Sequence, residues 1–436
     1  MKKMLFFWRE LKGTFWFIPV LIILISVFLA ILLLYVDGFV SISKEGINRF
    51  FFVNSADSAR SILSTISGAM IGVAGTVFSV TLVALTLASS QFGPRLVRNF
   101  MYIRLNQIVL GSYVSAYLYS LIILNAIKEN SDTTYIPSLS ILFAIITAIL
   151  NIILLILFIH QIATSMQADK IVADISSFIS SQVRTLFPEK LENSEDSETN
   201  FNTGEIKSKY DTVIPLKCPQ NGYLQYIDID SLKKKVADFD ALFELQYRPG
   251  DYLVENLTLG YLHTKNKPQQ EELEKLMESF VFGQIKTAQQ DLEFSIHQMV
   301  EMAVRALSPG INDPYTAIAC VNNLASTLCY LAQAKFPSKF LTDEKNELRV
   351  ISKTLDFEGI MDTSFNQIRQ YAKGSTAVTI RLLEALITID DFAQKEAYKQ
   401  AIRKHAQMTL NSGKAFINEK NDLEDLEERA GKILKN

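Results

Sequence analysis

Only three cysteines occur in 436 residues, Cys218, Cys320 and Cys329, and none of them forms a CxxC pair. That spacing supports neither a disulfide framework nor a zinc knuckle, and buried free thiols are the plain reading. The net charge of −3 carries no basic excess of the kind that nucleic-acid binding requires. Nucleophile motifs, glycine-rich phosphate loops and paired carboxylates with plausible chemistry are also missing. No catalytic residue is therefore assigned, and no cofactor or metal is expected. The most telling absence lies in residues 62–90, which contain no charged side chain at all.

That stretch is crowded instead with Gly, Ala, Ser and Thr. At about 1.5 Å of rise per residue it exceeds the ~30 Å hydrocarbon core of a bilayer. Gly68, Gly72 and Gly75 would let a neighbouring backbone approach closely. Ser64, Thr65, Ser67, Thr76, Ser79 and Thr81 offer hydroxyls to partner helices or to water. The segment reads as the inner helix of a membrane assembly. Packing alone, and packing combined with a polar pathway, both remain open for it.

Average composition hides a sharp division near residue 165. Four apolar stretches long enough to span a membrane precede it, at 15–36, 62–90, 105–127 and 137–163. The first is too long for a signal-peptide core and no small-residue cleavage site follows it. Lys2, Lys3, Arg9 and Lys12 precede the first span, and Arg95, Arg98 and Arg104 lie between the second and third. The other two connections are balanced or acidic. The positive-inside rule then predicts that both termini and the 92–104 loop are cytoplasmic.

The expected organisation is a four-helix transmembrane domain over 1–165, a helical extension over 166–187 and a polar linker over 188–210. A small β module over 211–265 and a mainly helical cytoplasmic domain over 266–436 complete it. The fold class is thus membrane α-helical with a cytoplasmic α+β region. Within the β module, the run Gly222-Tyr-Leu-Gln-Tyr-Ile-Asp228 and the later Arg248-Pro-Gly-Asp-Tyr-Leu-Val-Glu-Asn-Leu-Thr-Leu259 are similar to the two halves of a biotinyl- or lipoyl-type barrel sandwich. No lysine stands in the modifiable Met-Lys context, so that resemblance implies a fold and not a carrier role. Further on, Asp313 followed by Pro314 signals a helix start. Residues 349–358 suggest one more strand, and a charged helical pair is expected from 381 onward.

Glu293, His297, Glu301 and Arg305, four apart, share one helical stripe. A metal pair is conceivable there, but ordinary i,i+4 ion pairing explains the spacing without one. His160, near the end of the fourth span, reads either as a gating group or as an imidazole reaching interface water. Arg95 and Arg98 read as topology determinants with anionic-lipid contacts, or as coupling elements toward the cytoplasmic domain.

The run 64–107, including Thr81-Leu-Val-Ala-Leu-Thr-Leu-Ala-Ser-Ser-Gln-Phe-Gly-Pro-Arg95, together with Arg305-Ala-Leu-Ser-Pro-Gly-Ile-Asn-Asp-Pro314, resembles a bacterial family of predicted membrane proteins grouped as a domain of unknown function. The resemblance covers nearly the whole chain. It implies a bacterial inner-membrane protein with a cytoplasmic carboxy-terminal region, and it carries no activity. The preferred functional expectation is a homo-oligomeric, channel-like protein for ions or small solutes, surrounded by membrane lipids, whose cytoplasmic domain assembles or gates it. Arg95, Arg98, His160, Arg305, Asn312 and Asp313 are its candidate gating or coupling residues. The alternative is a membrane-anchored scaffold or signalling protein that binds a cytoplasmic partner or ligand.

Overall fold

The computed structural model describes residues 14–39, 55–92, 104–130, 133–165, 167–191 and 201–435. Arg95 and Arg98 lie outside the described residues, as do the basic residues before the first span. The chain divides into two compact units, Met1–Gln167 and Ala168–Asn436.

The first unit contains four helices long and apolar enough to cross a membrane: α1 (Phe17–Asp37), α2 (Ala56–Phe92), α3 (Arg104–Ala126) and α4 (Ser138–Ser165). The hub is α3, which packs against the other three. Half of its apolar window is buried, against 22 % for α2 and α4. The α2–α3 seam repeats every seven residues, the spacing that keeps one helical face toward a neighbour. Leu63, Met70, Val77 and Ala84 of α2 are buried, as are Asn106, Tyr113 and Ser120 with Val109, Ala116 and Ile123 of α3. Leu63 clusters with Ile123, and Val77 with Val109, so the two helices run antiparallel.

The backbones of α1 and α3 approach closely at Gly111 of α3. A Cβ there would lie 2.9 Å from Pro19 Cα and 3.1 Å from Ile22 Cδ1. At the other end of α1, the Asp37 carboxylate caps α4. It accepts from Leu139 N and Ser140 N, each at 2.9 Å, and from Ser140 Oγ at 2.6 Å. These are the free amides that every helix start leaves over, and a carboxylate is the favoured partner for them. A short hairpin, β1 (Lys128–Asn130) with β2 (Thr133–Tyr135), precedes α4. Its Tyr135 hydroxyl donates to Leu34 O at 3.0 Å.

In the second unit, α5 (Ala168–Leu186) and α6 (Thr203–Lys207) lead into β3 (Thr212–Lys217), β4 (Gly222–Ile227), α7 (Ile229–Asp238), β5 (Leu242–Leu245), β6 (Tyr252–Leu253) and β7 (Thr258–Thr264). Then come α8 (Gln270–Met277), β8 (Phe280–Gly283), α9 (Leu292–Ala306), α10 (Pro314–Ala332), β9 (Phe340–Thr342) and β10 (Leu348–Ile351). Four helices close the chain: α11 (Phe357–Tyr371), α12 (Thr376–Phe392), α13 (Glu396–Lys414) and α14 (Lys420–Leu434).

The strands do not form the expected barrel sandwich. They form two open sheets, a five-stranded one in the order β3-β7-β5-β10-β9 and a three-stranded one in the order β6-β4-β8. The two resembling runs do meet, at Tyr223 opposite Tyr252, but barrel closure fails for two reasons. Helix α7, capped by Asp228 at Ser231 N, intervenes between β4 and β5 and buries Leu232 and Val236. In addition β5 takes a parallel partner, β10, from about a hundred residues further on, with Phe243 opposite Val350. Strand β3 is an edge, and Pro215, which lacks an N–H, suits that position.

Other boundaries differ in detail. The strand expected over 349–358 is shorter and starts one residue earlier, at Leu348–Ile351, and Phe357 already begins α11. The expected closing helical pair is three helices, α12 to α14. Residues 201–210, placed by sequence in the polar linker, dock on the larger sheet. The Phe201 ring lies 5.6 Å from that of Phe340, and Lys207 Nζ is 2.7 Å from Glu244. Helix α5 belongs to the bundle, with Ile171, Val172, Ile175, Ile179 and Val183 buried on a unit where it packs against α9 and α10.

Arg349 joins the larger sheet to its turns. Buried to within 7 % of full enclosure, it contacts Asp343 at 2.8 Å, Asp240 at 3.1 Å, and Glu347. Truncation would leave Asp343, 14 % exposed, without its cation, while Asp240 and Glu347 stay in contact with water, so Arg349→Ala should cost about 1–3 kcal/mol in thermal unfolding of the second unit. In the first unit, Gly111→Val forces α1 away from α3. It should cost about 1–3 kcal/mol by the same measurement on detergent-purified protein.

Candidate functional site

Helix α2 has two opposite faces with opposite environments. One is buried: Ala59, Leu63, Ser67, Met70, Ala74, Val77, Ala84 and Ala88. The other carries Ser64, Gly68, Gly72, Gly75, Thr76 and Ser79, all exposed within the chain. Their spacing of three and four places them on one stripe of the helix. Ser67, grouped with them by sequence, belongs instead to the buried face at 5 % exposure.

Among the described residues, no heavy atom lies within 4 Å of where a Cβ would stand at Gly68, Gly72 or Gly75. Three exposed hydroxyls of this helix are bonded back to it. Thr65 Oγ1 donates to Ser61 O at 2.8 Å, Thr76 Oγ1 to Gly72 O at 3.2 Å, and Ser79 Oγ to Gly75 O at 2.9 Å. Such back-bonding is how Ser and Thr are tolerated inside a helix.

Sequence reasoning passed over the polar node inside the unit. Asn151, at the middle of α4, is fully buried. Its Oδ1 accepts from Ser112 Oγ at 2.5 Å, and its carbonyl accepts from the Tyr113 hydroxyl at 2.6 Å. Its amide nitrogen lies 3.4 Å from Met70 Sδ, so one side chain ties α4 to both α3 and α2. The signal was a lone amide in an otherwise aliphatic run, Ile149-Leu-Asn-Ile-Ile153.

His160 is exposed on α4, and its carbonyl accepts from Thr164 Oγ1 at 3.1 Å. Arg305, Asn312 and Asp313 come together in the α9–α10 turn, where their contacts are structural. Arg305 Nε is 3.6 Å from Glu301, and Ser308 N donates to Arg305 O at 3.0 Å. Asn312 takes a left-handed φ of 50°, and Asp313 N then reaches back to Ala306 O at 2.7 Å. Asp313 caps α10 through Thr316 N at 3.1 Å and Thr316 Oγ1 at 2.5 Å, and these bonds hold its carboxyl below the usual range.

The acids of the 293–305 stripe are committed to guanidiniums, Glu293 to Arg248 and Glu301 to Arg305. Among the described residues no group of three or more His, Cys, Asp or Glu side chains is arranged to hold a metal. Burial pushes the Cys320 thiol up to about 12 and that of Cys329 up to about 11, so neither is a ready nucleophile.

Residues 12–388 match the model of a family described as "Predicted membrane protein (DUF2254)". The chain belongs to that family. It is therefore a multi-pass membrane protein with four candidate spans. Similar chains include uncharacterised proteins of Mycobacterium bovis (Mb1321c) and Mycobacterium tuberculosis (Rv1290c). Each is 29 % identical over 381 residues, covering 86 % of this chain and 72 % of the relative. No solved structure matches.

One titration in this DUF2254 protein is open to direct test. His405 of α13 is 1 % exposed and lies 3.2 Å from Asp362 of α11. Burial pushes the imidazole down to about 4. Below the ordinary histidine value near 6.5 the unfolded chain takes up a proton that the folded chain refuses, so stability falls as pH drops from about 6.5 to about 4. By pH 5 this loss should reach about 2 kcal/mol, and His405→Gln should flatten the pH slope of thermal unfolding.

Proposed function

We propose that the protein is a homo-oligomeric, channel-like membrane protein in which α2 faces sister subunits and borders a path for ions or small solutes. The observation that carries this reading is the open stripe at Gly68, Gly72 and Gly75, set opposite a face fully occupied by the chain's own helices. Large aliphatic side chains suit lipid better than such a stripe does, whereas small residues suit close contact between helices. Four candidate spans are few for a path enclosed by one chain, which favours a path between copies. The distribution of basic residues supports cytoplasmic termini in a bacterial inner membrane.

One observation favours the second reading, a membrane-anchored scaffold. The family-motif turn displays Ile311 and Tyr315, 46 % and 81 % exposed, as a protein-binding tip would.

Purified protein in liposomes should pass a fluorescence-reported ion flux. Gly72→Leu and Gly75→Leu should abolish that flux and weaken assembly in crosslinking. Flux that survives leucine at both positions removes α2 from the pathway. An absence of flux in the parent protein leaves the scaffold reading.

A further inference from the structure

The family-motif turn between α9 and α10 carries no charge over residues 306–312, and residues 309–312 are exposed. Ile311 is 46 % exposed and Tyr315, on the first turn of α10, is 81 % exposed. The turn is held from within. Ser308 O accepts from Ile311 N at 3.1 Å and from Asn312 N at 2.9 Å, and Ala306 O accepts from Asp313 N at 2.7 Å. The adjacent Asp313 carboxylate is already engaged by Thr316.

Two sets of contacts place this tip at one end of the second unit. Beyond the end of α5, Phe187 O accepts from the Tyr330 hydroxyl of α10 at 3.1 Å, and Leu191 N donates to Gln333 O at 2.9 Å. Counting back about 24 Å from Tyr330 and Phe187, at about 1.5 Å per residue, reaches Pro314 on α10 and Ile171 on α5. Separately, Ser295 Oγ of α9 donates to Gln182 Oε1 of α5 at 2.5 Å. Counting about 17 Å from there toward the turn reaches Ala306 on α9 and Ile171 again on α5. The tip is therefore level with the first turn of α5. That helix starts at Ala168, directly after the candidate span α4 ends at Ser165.

We propose that Ile311 and Tyr315 form a membrane-contact tip, seated in the headgroup region of the bilayer that α4 leaves. The chain emerges from lipid at the level of the tip, so the bilayer surface is the cover nearest to it. Tyrosine suits that depth because its ring is apolar while its hydroxyl stays wet. A partner protein is the other occupant such a pair could take, and on this assignment the pair no longer argues for a scaffold. The proposal needs only the membrane spans and is independent of any path for ions.

Tryptophan fluorescence of the full-length protein in phosphatidylcholine liposomes tests this, in a Trp8→Phe, Trp16→Phe background that removes both native tryptophans. Tyr315→Trp emission should fall about twofold when the acyl chains carry bromine near the headgroup, and should resist iodide present on both sides of the bilayer. Ile311→Trp should respond in the same way. Tyr252→Trp is the control. Tyr252 is 54 % exposed on β6, in the sheet joined to the start of α9 by the Ile227 N to Gln290 Oε1 bond of 2.9 Å, and iodide alone should quench it. Elution with the parent protein in detergent shows that each variant folds. Iodide quenching of the two tip variants equal to that of the control, with no effect of bromine, overturns the proposal. So does shielding from both quenchers, which assigns the tip to protein contact.

Discussion

A polar side chain enclosed by apolar helices has no water to fall back on, and Asn151 meets that constraint by binding its neighbours. Its contacts with Ser112, Tyr113 and Met70 fix the rotation of α4 against α3 and α2. Once that rotation is set, the heptad face of α3 meets Leu63, Met70 and Val77, and Gly111 turns toward α1. The Asp37 cap secures the far end of the same arrangement by joining the last turn of α1 to the first of α4. The same arrangement leaves the glycine stripe of α2 without a neighbour among the described residues, while the outward faces of α1 and α4 carry large aliphatic side chains such as Leu24, Ile31, Ile152 and Ile156.

The second unit is organised by a different means. Its larger sheet is assembled from strands far apart in sequence, and β10 enters parallel to β5. Arg349 makes that entry specific, because its guanidinium meets acids from the β9–β10 hairpin and from the turn before β5. The bundle beside it is built from short helix–turn–helix steps, each started by a side-chain cap. Asp291, Asp313 and Asp356 cap α9, α10 and α11 through Phe294, Thr316 and Gly359 amides.

Local signals were legible in the sequence, and non-local ones were not. The four apolar spans followed from hydropathy, and the start of α10 followed from Asp313-Pro314. The barrel sandwich was misread because two short similar runs say nothing about which strands they will pair with. Strand β5, Leu-Phe-Glu-Leu, buries side chains on both faces, and its parallel partner β10 lies over a hundred residues away. On α2, composition pointed to the right residues but not to their direction. Ser67 and Gly68 are adjacent in sequence, yet about 100° of helical turn puts one inward and the other outward. Gly111 and Asn151 were missed for the converse reason, since each is a single residue whose importance lies in what crosses it.

The back-bonded hydroxyls of α2 have one more consequence. A hydroxyl owns a single hydrogen, and in Thr65, Thr76, Ser79 and Thr86 that hydrogen is already engaged by a carbonyl of the same helix. What each presents outward is an oxygen lone pair. At those four positions whatever lies alongside therefore meets an oxygen that takes a hydrogen bond and gives none.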